Sequence, residues 1–322
     1  MVASSGHRPD ELKVCAVVVT HNRRETLREC LRALLAQTRP VDEIMVVDNA
    51  STDGTERMLS AEFPQVTHVR LPVNTGGAGG FHEGVKLAWQ RGYDWIWTMD
   101  DDTVAYPDAL SALLDPLDDI EEEVGLLCSH VVWTDGAAHI MNVPRVSALI
   151  PPSTSERRAC PFNQHLEKGV VRLRGCSFVS ALFSRRAIEA VGLPLREMFI
   201  YGDDVEFTQR VSRSLPCFYV IASKVLHKTP ENSGADISTA PADKLWRYSY
   251  RVRNDIYLSR RQGPASLLWY CLAVWPCELK AALKRKESRL EAARRCLQGM
   301  LGGLLFRPRV ESVARAVEDQ RP

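Results

Sequence analysis

The first hundred residues alternate apolar runs with segments of helical periodicity, and this alternation constrains the fold more than any other feature. The apolar runs predict four strands, at residues 14–20, 43–48, 66–71 and 94–99. The segments between them predict helices at residues 23–37, 51–60 and 79–91. Strands that alternate with helices indicate an α/β fold with a mostly parallel sheet and right-handed crossovers.

Polar motifs follow three of these strands directly. They are Thr20-His21-Asn22, Asp48-Asn49 and Asp100-Asp101-Asp102. Ligands of open α/β sheets bind at the carboxyl ends of the strands. We therefore expect the three motifs to form one site.

The run of three aspartates indicates a cation site. Adjacent carboxylates repel one another unless a cation compensates their charge. Mg²⁺ commonly uses one or two carboxylates together with substrate phosphates. Alternate members of the run, Asp100 and Asp102, are suited to share one ion. A solvated acidic loop is the alternative interpretation.

Residues 74–81 contain four glycines in five positions, Gly76, Gly77, Gly79 and Gly80. A helix that follows such a segment offers unpaired N–H groups to an anion. The alternative is a flexible turn before a helix. The segment is no P-loop, because no Gly-Lys-Ser/Thr follows, and the first strand lacks the GxGxxG of a Rossmann oxidoreductase.

Two further candidates lie in the second half of the chain. Asp203 and Asp204 begin a predicted helix, and a carboxylate there can accept the proton of an incoming hydroxyl. Simple helix capping is the alternative. His227 follows a predicted strand at residues 217–222. A lone histidine is more often structural, so His227 matters only in combination with the aspartates.

Together these motifs resemble the family 2 inverting glycosyltransferases of the GT-A fold. The resemblance covers residues 14–230 and rests on residues 17–23 (VVVTHNR), residues 48–55 (DNASTDGT), the three aspartates and residues 202–206 (GDDVE). Asp203 stands where glutamate is commoner, whereas Asp204 matches the usual base. Residues 74–81, 95–103 and 250–254 are most similar to bacterial galactofuranosyl- and rhamnosyltransferases.

The resemblance implies transfer of galactofuranose or rhamnose from a nucleotide diphosphate donor to a glycan or lipid-linked acceptor in cell-envelope polysaccharide synthesis. It implies that Mn²⁺ or Mg²⁺ is bound by Asp100, Asp102 and His227, and that Asp204, next to Asp203, is the catalytic base. The donor-binding residues that it implies are Thr20, His21, Asn22, Arg23, Asp48, Asn49, Gly76, Gly77, Gly79, Asp100 and Asp101. A non-catalytic nucleotide- or carbohydrate-binding module and a sugar nucleotidyltransferase are the alternatives.

The predicted organisation has three parts. Residues 1–12 are a flexible terminus, residues 13–243 a GT-A catalytic domain, and residues 244–322 a basic helical extension. The catalytic domain divides into a nucleotide-binding half, 13–105, and an acceptor-binding half, 106–243. Within the acceptor-binding half, residues 151–158 (PPSTSERR) predict a mobile loop.

An apolar segment at residues 266–275 is about half the length that spans a bilayer. Basic residues flank it on both sides, which is typical of a helix in a membrane interface. Packing on the catalytic domain or contact within a homo-oligomer are the alternatives.

Bulk properties favour a cytoplasmic location, and the basic, apolar segment around residues 266–275 places the expected location at the inner face of the cell membrane. A net charge of +1 gives no indication of nucleic-acid binding. Nine cysteines without a CxxC pair predict free thiols in a reducing compartment. Residues 1–13 are polar and lack the apolar stretch of a signal peptide.

Overall fold

A computed structural model of the protein describes residues 12–146 and 166–313, in which a ten-stranded sheet is flanked by helices. The strands are β1 Val14–Thr20, β2 Glu43–Asp48, β3 Thr67–Arg70, β4 Trp95–Asp100, β5 Thr103–Ala105, β6 Leu126–Val132, β7 Arg145–Val146, β8 Val170–Gly175, β9 Ala181–Ser184 and β10 Cys217–His227. The α-helices are α1 Arg24–Leu35, α2 Thr55–Glu62, α3 Gly76–Gln90, α4 Ala109–Leu114, α5 Arg185–Val191, α6 Asp203–Ser212, α7 Arg247–Gln262, α8 Pro264–Trp269, α9 Trp275–Leu283 and α10 Arg289–Leu305.

The sheet has the strand order β3-β2-β1-β4-β9-β6-β10-β8-β7, with β5 paired to β10. The first four strands are parallel, as the alternating sequence pattern predicts. Beyond β4 the sheet is mixed, because β9 runs antiparallel to both of its neighbours and β10 runs antiparallel to β5 and β8. The α/β class is confirmed, and the parallel arrangement belongs to its first half.

Two hydrophobic clusters cover the two faces of the sheet. Strand β1 contributes alternate residues to each of them, Val14, Ala16 and Val18 on one face and Cys15, Val17 and Val19 on the other. All seven residues of β1 are buried, which is why the strand reads as an unbroken apolar run.

The structure shifts the starts of two predicted helices. Helix α2 begins at Thr55 rather than at residue 51, because residues 51–54 form a turn. In this turn Asp48 Oδ1 accepts the Ser51 N–H and Asp53 Oδ1 accepts the Thr55 N–H. Helix α3 begins at Gly76 rather than at residue 79, so the glycine-rich segment forms its first turns instead of a loop before it.

The last four helices form a helical extension with a cluster of its own, as predicted. Helix α10 packs on α7 through small residues. A Cβ added to Gly299 would lie 2.7 Å from Ser249 O, and a Cβ added to Gly303 would lie 2.8 Å from Ile256 Cβ. After α10 the chain returns to the sheet and its flanking helices, where Glu311 contacts His82 and Lys86 of α3. The domain boundaries stay a prediction.

Three other expectations concern the segments outside the described residues, the state of the cysteines and the possibility of a membrane-spanning helix. The predicted flexible terminus, apart from Leu12, and the predicted loop at 151–158 lie outside the described residues. Among the described residues, eight cysteines are free thiols and no disulfide is present, while Cys160 is not described. None of the helices in the described ranges has the length and apolar character needed to cross a membrane.

Candidate active site

The three polar motifs meet at one edge of the sheet, as the sequence predicts. Strands β2, β1 and β4 are neighbours in parallel register, with Thr20 opposite Asp48 and Val19 opposite Asp100. Each motif therefore begins at the same level of the sheet. This edge is the place where open α/β sheets bind their ligands.

Asp100, Asp102 and His227 form a group suited to a divalent metal ion. One ligand atom from each lies within 4.8 Å of the others, and Asp102 Oδ1 is 3.0 Å from His227 Nε2. In an octahedral site with bonds of about 2.1 Å, adjacent ligands lie about 3 Å apart and opposite ligands about 4 Å apart. The side chains therefore fit one ion, and Asp100 is the least buried of the three.

His227 is the last residue of β10, which is longer than the sequence predicts, and the additional residues of the strand bring it to this group. The strand continues past residue 222, through an irregularity between Val220 and Lys224, and ends at His227 itself. It pairs antiparallel with β5, where His227 lies opposite Thr103. This register places the imidazole beside Asp102, 125 residues away in the sequence.

The orientation of the His227 ring is set by residues that sequence reasoning missed. Nδ1 donates to Asn142 Oδ1 at 2.8 Å, and Asn142 Nδ2 in turn donates to Ser177 Oγ at 2.8 Å. The ring also packs against the buried His139, with 4.6 Å between the ring centroids and an angle of 33° between the ring planes. Nε2 is thereby left to face the carboxylates, as in metal sites whose histidine is held through its other nitrogen. An isolated asparagine in an irregular segment carries no sequence signal for this role.

Asp101 lies apart from the metal group although it belongs to the same run. Its carboxylate accepts hydrogen bonds from Thr20 Oγ1 at 2.8 Å and from Arg23 Nη1 at 3.2 Å. Arg23 precedes α1 and also pairs with Asp102. The guanidinium therefore offsets part of the negative charge that the run concentrates.

The acidic side chains affect one another's ionisation. Burial and the charge of Asp102 raise the pKa of Asp100 to about 6. Burial also opposes ionisation of Asp102, but the hydrogen bond and charge of His227 outweigh it and hold the Asp102 pKa below its ordinary value. A cation would favour the ionised form of all these carboxylates.

The predicted nucleotide-binding residues divide into buried and exposed sets. Asp48 is buried and accepts hydrogen bonds from the Ser51 N–H and from Arg70, and the buried Asn49 bonds to Thr75 and Gly76. The exposed residues are Arg23, described above, His21, whose Nδ1 bonds to Asn49 O at 2.7 Å, and Asn22, whose φ is 54°. Asp48 and Asn49 thus connect the loops around the pocket, and His21 and Asn22 face solvent.

The glycines of α3 allow close packing at most positions. A Cβ added to Gly76 would lie 2.1 Å from Phe199 O, and a Cβ added to Gly79 would lie 2.3 Å from Thr75 Oγ1. A Cβ added to Gly80 would lie 2.4 Å from Val19 Cγ1. At Gly77 a Cβ would meet no atom within 4 Å. Gly77 is therefore the glycine of this segment that faces open space.

Asp203 and Asp204 begin α6 directly after Gly202, whose φ is 78°. Asp203 is buried, whereas Asp204 is half-exposed and accepts the Val205 N–H at 2.7 Å. The charge of Asp204 contributes to the raised pKa of Asp100, and the charge of Asp100 to that of Asp203. The two acidic segments therefore act on each other electrostatically, and Asp204 is the more accessible member of its pair.

This fold and site define a class of protein. An α/β sheet that carries an Asp-x-Asp motif and a histidine at the ends of its parallel strands, opposite an acidic helix start, is the arrangement of metal-dependent glycosyltransferases of the GT-A fold. Two solved structures have the same fold: TarS from S. aureus, with a TM-score of 0.51 and 16% identity, and GalNAc-T7 with UDP, GalNAc and Mn²⁺, with a TM-score of 0.53 and 12% identity. The match to TarS covers 91% of this chain and 53% of the TarS chain, and the match to GalNAc-T7 covers 96% of this chain and 56% of the GalNAc-T7 chain.

Sequence comparison identifies the family. The model named Glycosyl transferase family 2 matches residues 15–192, and the chain belongs to this family. Among its relatives are two proteins named galactofuranosyltransferase GlfT1. The protein of Mycolicibacterium smegmatis is 32% identical over 80% of this chain and 89% of its own length. The protein of Mycobacterium tuberculosis H37Rv is 34% identical over 79% of this chain and 84% of its own length. The chain is thus a glycosyltransferase, whose family uses nucleotide-sugar donors and glycan acceptors.

Proposed function

We propose that the protein is an inverting galactofuranosyltransferase of cell-envelope polysaccharide synthesis. The observation that carries the proposal is the grouping of Asp100, Asp102 and His227 at the ends of the parallel strands, which suits a divalent metal ion. The names of the GlfT1 relatives, which match about four-fifths of the chain, favour galactofuranose over rhamnose as the sugar.

In this proposal the donor lies along the edge formed by β1, β2 and β4. His21 and Asn22 contact the nucleotide, while Asp48 and Asn49 hold the loops that shape its pocket. Asp100, Asp102 and His227 hold Mn²⁺ or Mg²⁺. The bound ion would offset the negative charge of the leaving nucleoside diphosphate. Gly77 leaves room for the donor at the start of α3.

Asp204 is the proposed catalytic base. A single displacement inverts the configuration at the anomeric carbon and requires one group to take the proton of the acceptor hydroxyl. The half-exposed Asp204 can be reached by that hydroxyl, whereas the neighbouring Asp203 is buried. Burial raises the pKa of Asp204, which makes it a stronger base than a solvated aspartate.

The C-terminal helices are proposed to contact the cytosolic face of a membrane that carries a lipid-linked acceptor. We define the C-terminal apolar surface as eight exposed residues, Leu268, Trp269, Leu272, Leu290, Leu297, Leu301, Leu304 and Leu305. Residues 260–309 contain eleven Lys and Arg against three Asp and Glu. An apolar surface among cations fits an anionic lipid interface. A second copy of the chain is the alternative occupant.

The donor is tested by thermal shift with a panel of nucleotide sugars in the presence of Mn²⁺. A ligand at one hundred times its Kd stabilises the native state by about 2.7 kcal/mol. We expect a selective shift with UDP-galactofuranose, compared with UDP-galactopyranose and dTDP-rhamnose, that EDTA removes. A selective shift with dTDP-rhamnose would instead identify a rhamnosyltransferase.

Turnover of the shifting donor then tests the catalytic role of Asp204. The isosteric Asp204→Asn variant should keep the thermal shift and lose about 10²- to 10⁴-fold in kcat, the range of general base catalysis. Full activity of Asp204→Asn would remove Asp204 from this role. Binding without any turnover by the wild type would favour a non-catalytic binding module.

A further inference from the structure

The turn before the proposed base has a strained backbone. Phe199 and Tyr201 have φ of 63° and 66°, and Gly202 follows with φ of 78°. Phe199 has ψ of −61°, and the Ile200 N–H donates to Met198 O at 2.7 Å. This is the γ-turn conformation that side chains strongly disfavour. Such a turn persists only where its surroundings hold it in place.

One side chain from α7 holds this turn. Asn254 is fully buried, and its Nδ2 donates to Met198 O at 3.0 Å, Ile200 O at 3.0 Å and Tyr201 O at 2.7 Å. Its Oδ1 accepts from Arg253 Nε at 3.0 Å. The guanidinium of Arg253 also donates to Met198 O at 3.0 Å. The inward-facing carbonyls of the turn therefore accept hydrogen bonds from two neighbouring side chains of α7, Asn254 and Arg253.

The same turn contacts two helices that contribute to the candidate site, α6 and α3. Helix α6, with Asp204 in its first turn, begins directly after Gly202. On the other side, Phe199 O accepts the Ala78 N–H of α3 at 3.2 Å and lies against Gly76, where a Cβ would be 2.1 Å away. A displacement of the turn would therefore move the acidic start of α6 and the glycine-rich start of α3 together.

We infer that Asn254, assisted by Arg253, is a positioning residue that holds the proposed base Asp204 in place through the turn at residues 198–202. The inference rests on the proposed function. Asn254 does not act on the substrate. Its amide N–H groups satisfy the carbonyls of a turn that would otherwise relax, and the relaxed turn would carry Asp204 away from the acceptor hydroxyl.

The test is the Asn254→Asp variant, which keeps the size of the side chain but replaces its two N–H donors by an acceptor. Turnover is measured as UDP release from UDP-galactofuranose with Mn²⁺ and octyl β-galactofuranoside as acceptor. We expect kcat per folded molecule to fall at least 30-fold. The Kd of Mn²⁺ should change less than threefold, because β4, β5 and β10 hold the metal group independently of the turn.

Ile256→Val is the matched control, because Ile256 is fully buried on the same helix and contacts α10 rather than the turn. It should lower stability slightly and leave kcat unchanged. Should Asn254→Asp not fold, Asn254→Ser, which keeps one donor, replaces it with an expected loss of 3- to 10-fold. A folded Asn254 variant with the kcat of the wild type overturns the inference.

The failure of the inference is distinct from the failure of the proposed function. An active wild type, an inactive Asp204→Asn and a fully active Asn254→Asp would reject the positioning role alone. A wild type that releases no nucleoside diphosphate from any donor of the panel would reject the proposed function, and the inference with it.

Discussion

At the scale of single residues, the candidate metal group shows how a ligand depends on its supporting contacts. His227 presents Nε2 to the carboxylates because Asn142 accepts the hydrogen bond of Nδ1, and Ser177 fixes the amide of Asn142. Partners of this kind determine both the tautomer and the direction of a metal-binding imidazole. Asn142 should therefore matter to metal affinity although it would not touch the ion.

We predict that Asn142→Ala weakens Mn²⁺ binding about 10- to 100-fold, the usual effect of removing such a partner. Isothermal titration of Mn²⁺ in the presence of UDP measures it. Asn232→Ala is the control, because Asn232 braces the same segment through Ile140 N and Ala138 O without contacting His227. Equal losses in the two variants would show that Asn142 only supports the local backbone.

At the scale of elements, helix α3 combines two uses of glycine. Glycine is normally unfavourable within helices, by up to about 1 kcal/mol relative to alanine. Here Gly80 and Gly84 allow α3 to approach β1 closely, since a Cβ at either position would lie within 2.4 Å of a valine side chain. Gly77 has no such neighbour, so packing within the protein does not require a glycine there.

The pair Gly77→Ala and Gly80→Ala tests this division. Gly80→Ala should destabilise the protein by about 1–3 kcal/mol, the usual cost of overpacking. Gly77→Ala should leave stability unchanged or raise it by up to about 1 kcal/mol. If the donor lies at the start of α3, Gly77→Ala should nevertheless raise the KM for the donor. Urea unfolding and steady-state kinetics measure the two effects, and an unchanged KM would contradict the proposed donor position.

At the scale of the whole molecule, the helical extension has two different faces. Helix α10 turns small residues toward α7 and a row of leucines toward solvent. The face toward α7 allows close helix packing, and the leucine face has no partner within the described chain. Because α7 also holds the turn before Asp204, the extension connects the C-terminal apolar surface to the candidate active site.

Vesicle flotation tests whether the C-terminal apolar surface binds lipid. The double variant Leu301→Ser/Leu305→Ser removes side chains that are 66% and 81% exposed, and it should float less than the wild type with vesicles of phosphatidylglycerol and phosphatidylcholine. The control Leu35→Ser/Ile221→Ser changes residues that are 45% and 43% exposed elsewhere, and it should float like the wild type. Equal flotation of both variants would contradict membrane contact through α10, and concentration-dependent dimerisation would favour a second copy.

The sequence by itself determined the parallel half of the sheet and the position of its polar motifs. Strand and helix periodicities are local, so residues 14–100 could be interpreted without knowledge of distant contacts. The end of each strand located Thr20, Asp48 and Asp100. The resemblance to family 2 glycosyltransferases further implied His227 and Asp204 as their partners.

Only the tertiary structure decided how distant segments support the site. The mixed half of the sheet lacks regular alternation, so neither the extension of β10 to His227 nor its pairing with β5 could be derived. Asn142 and Asn254 act through contacts that join segments 85 and 56 residues apart. The physical reason is that a hydrogen bond between distant segments depends on the path of the whole chain, and a single asparagine leaves no periodic pattern in the sequence.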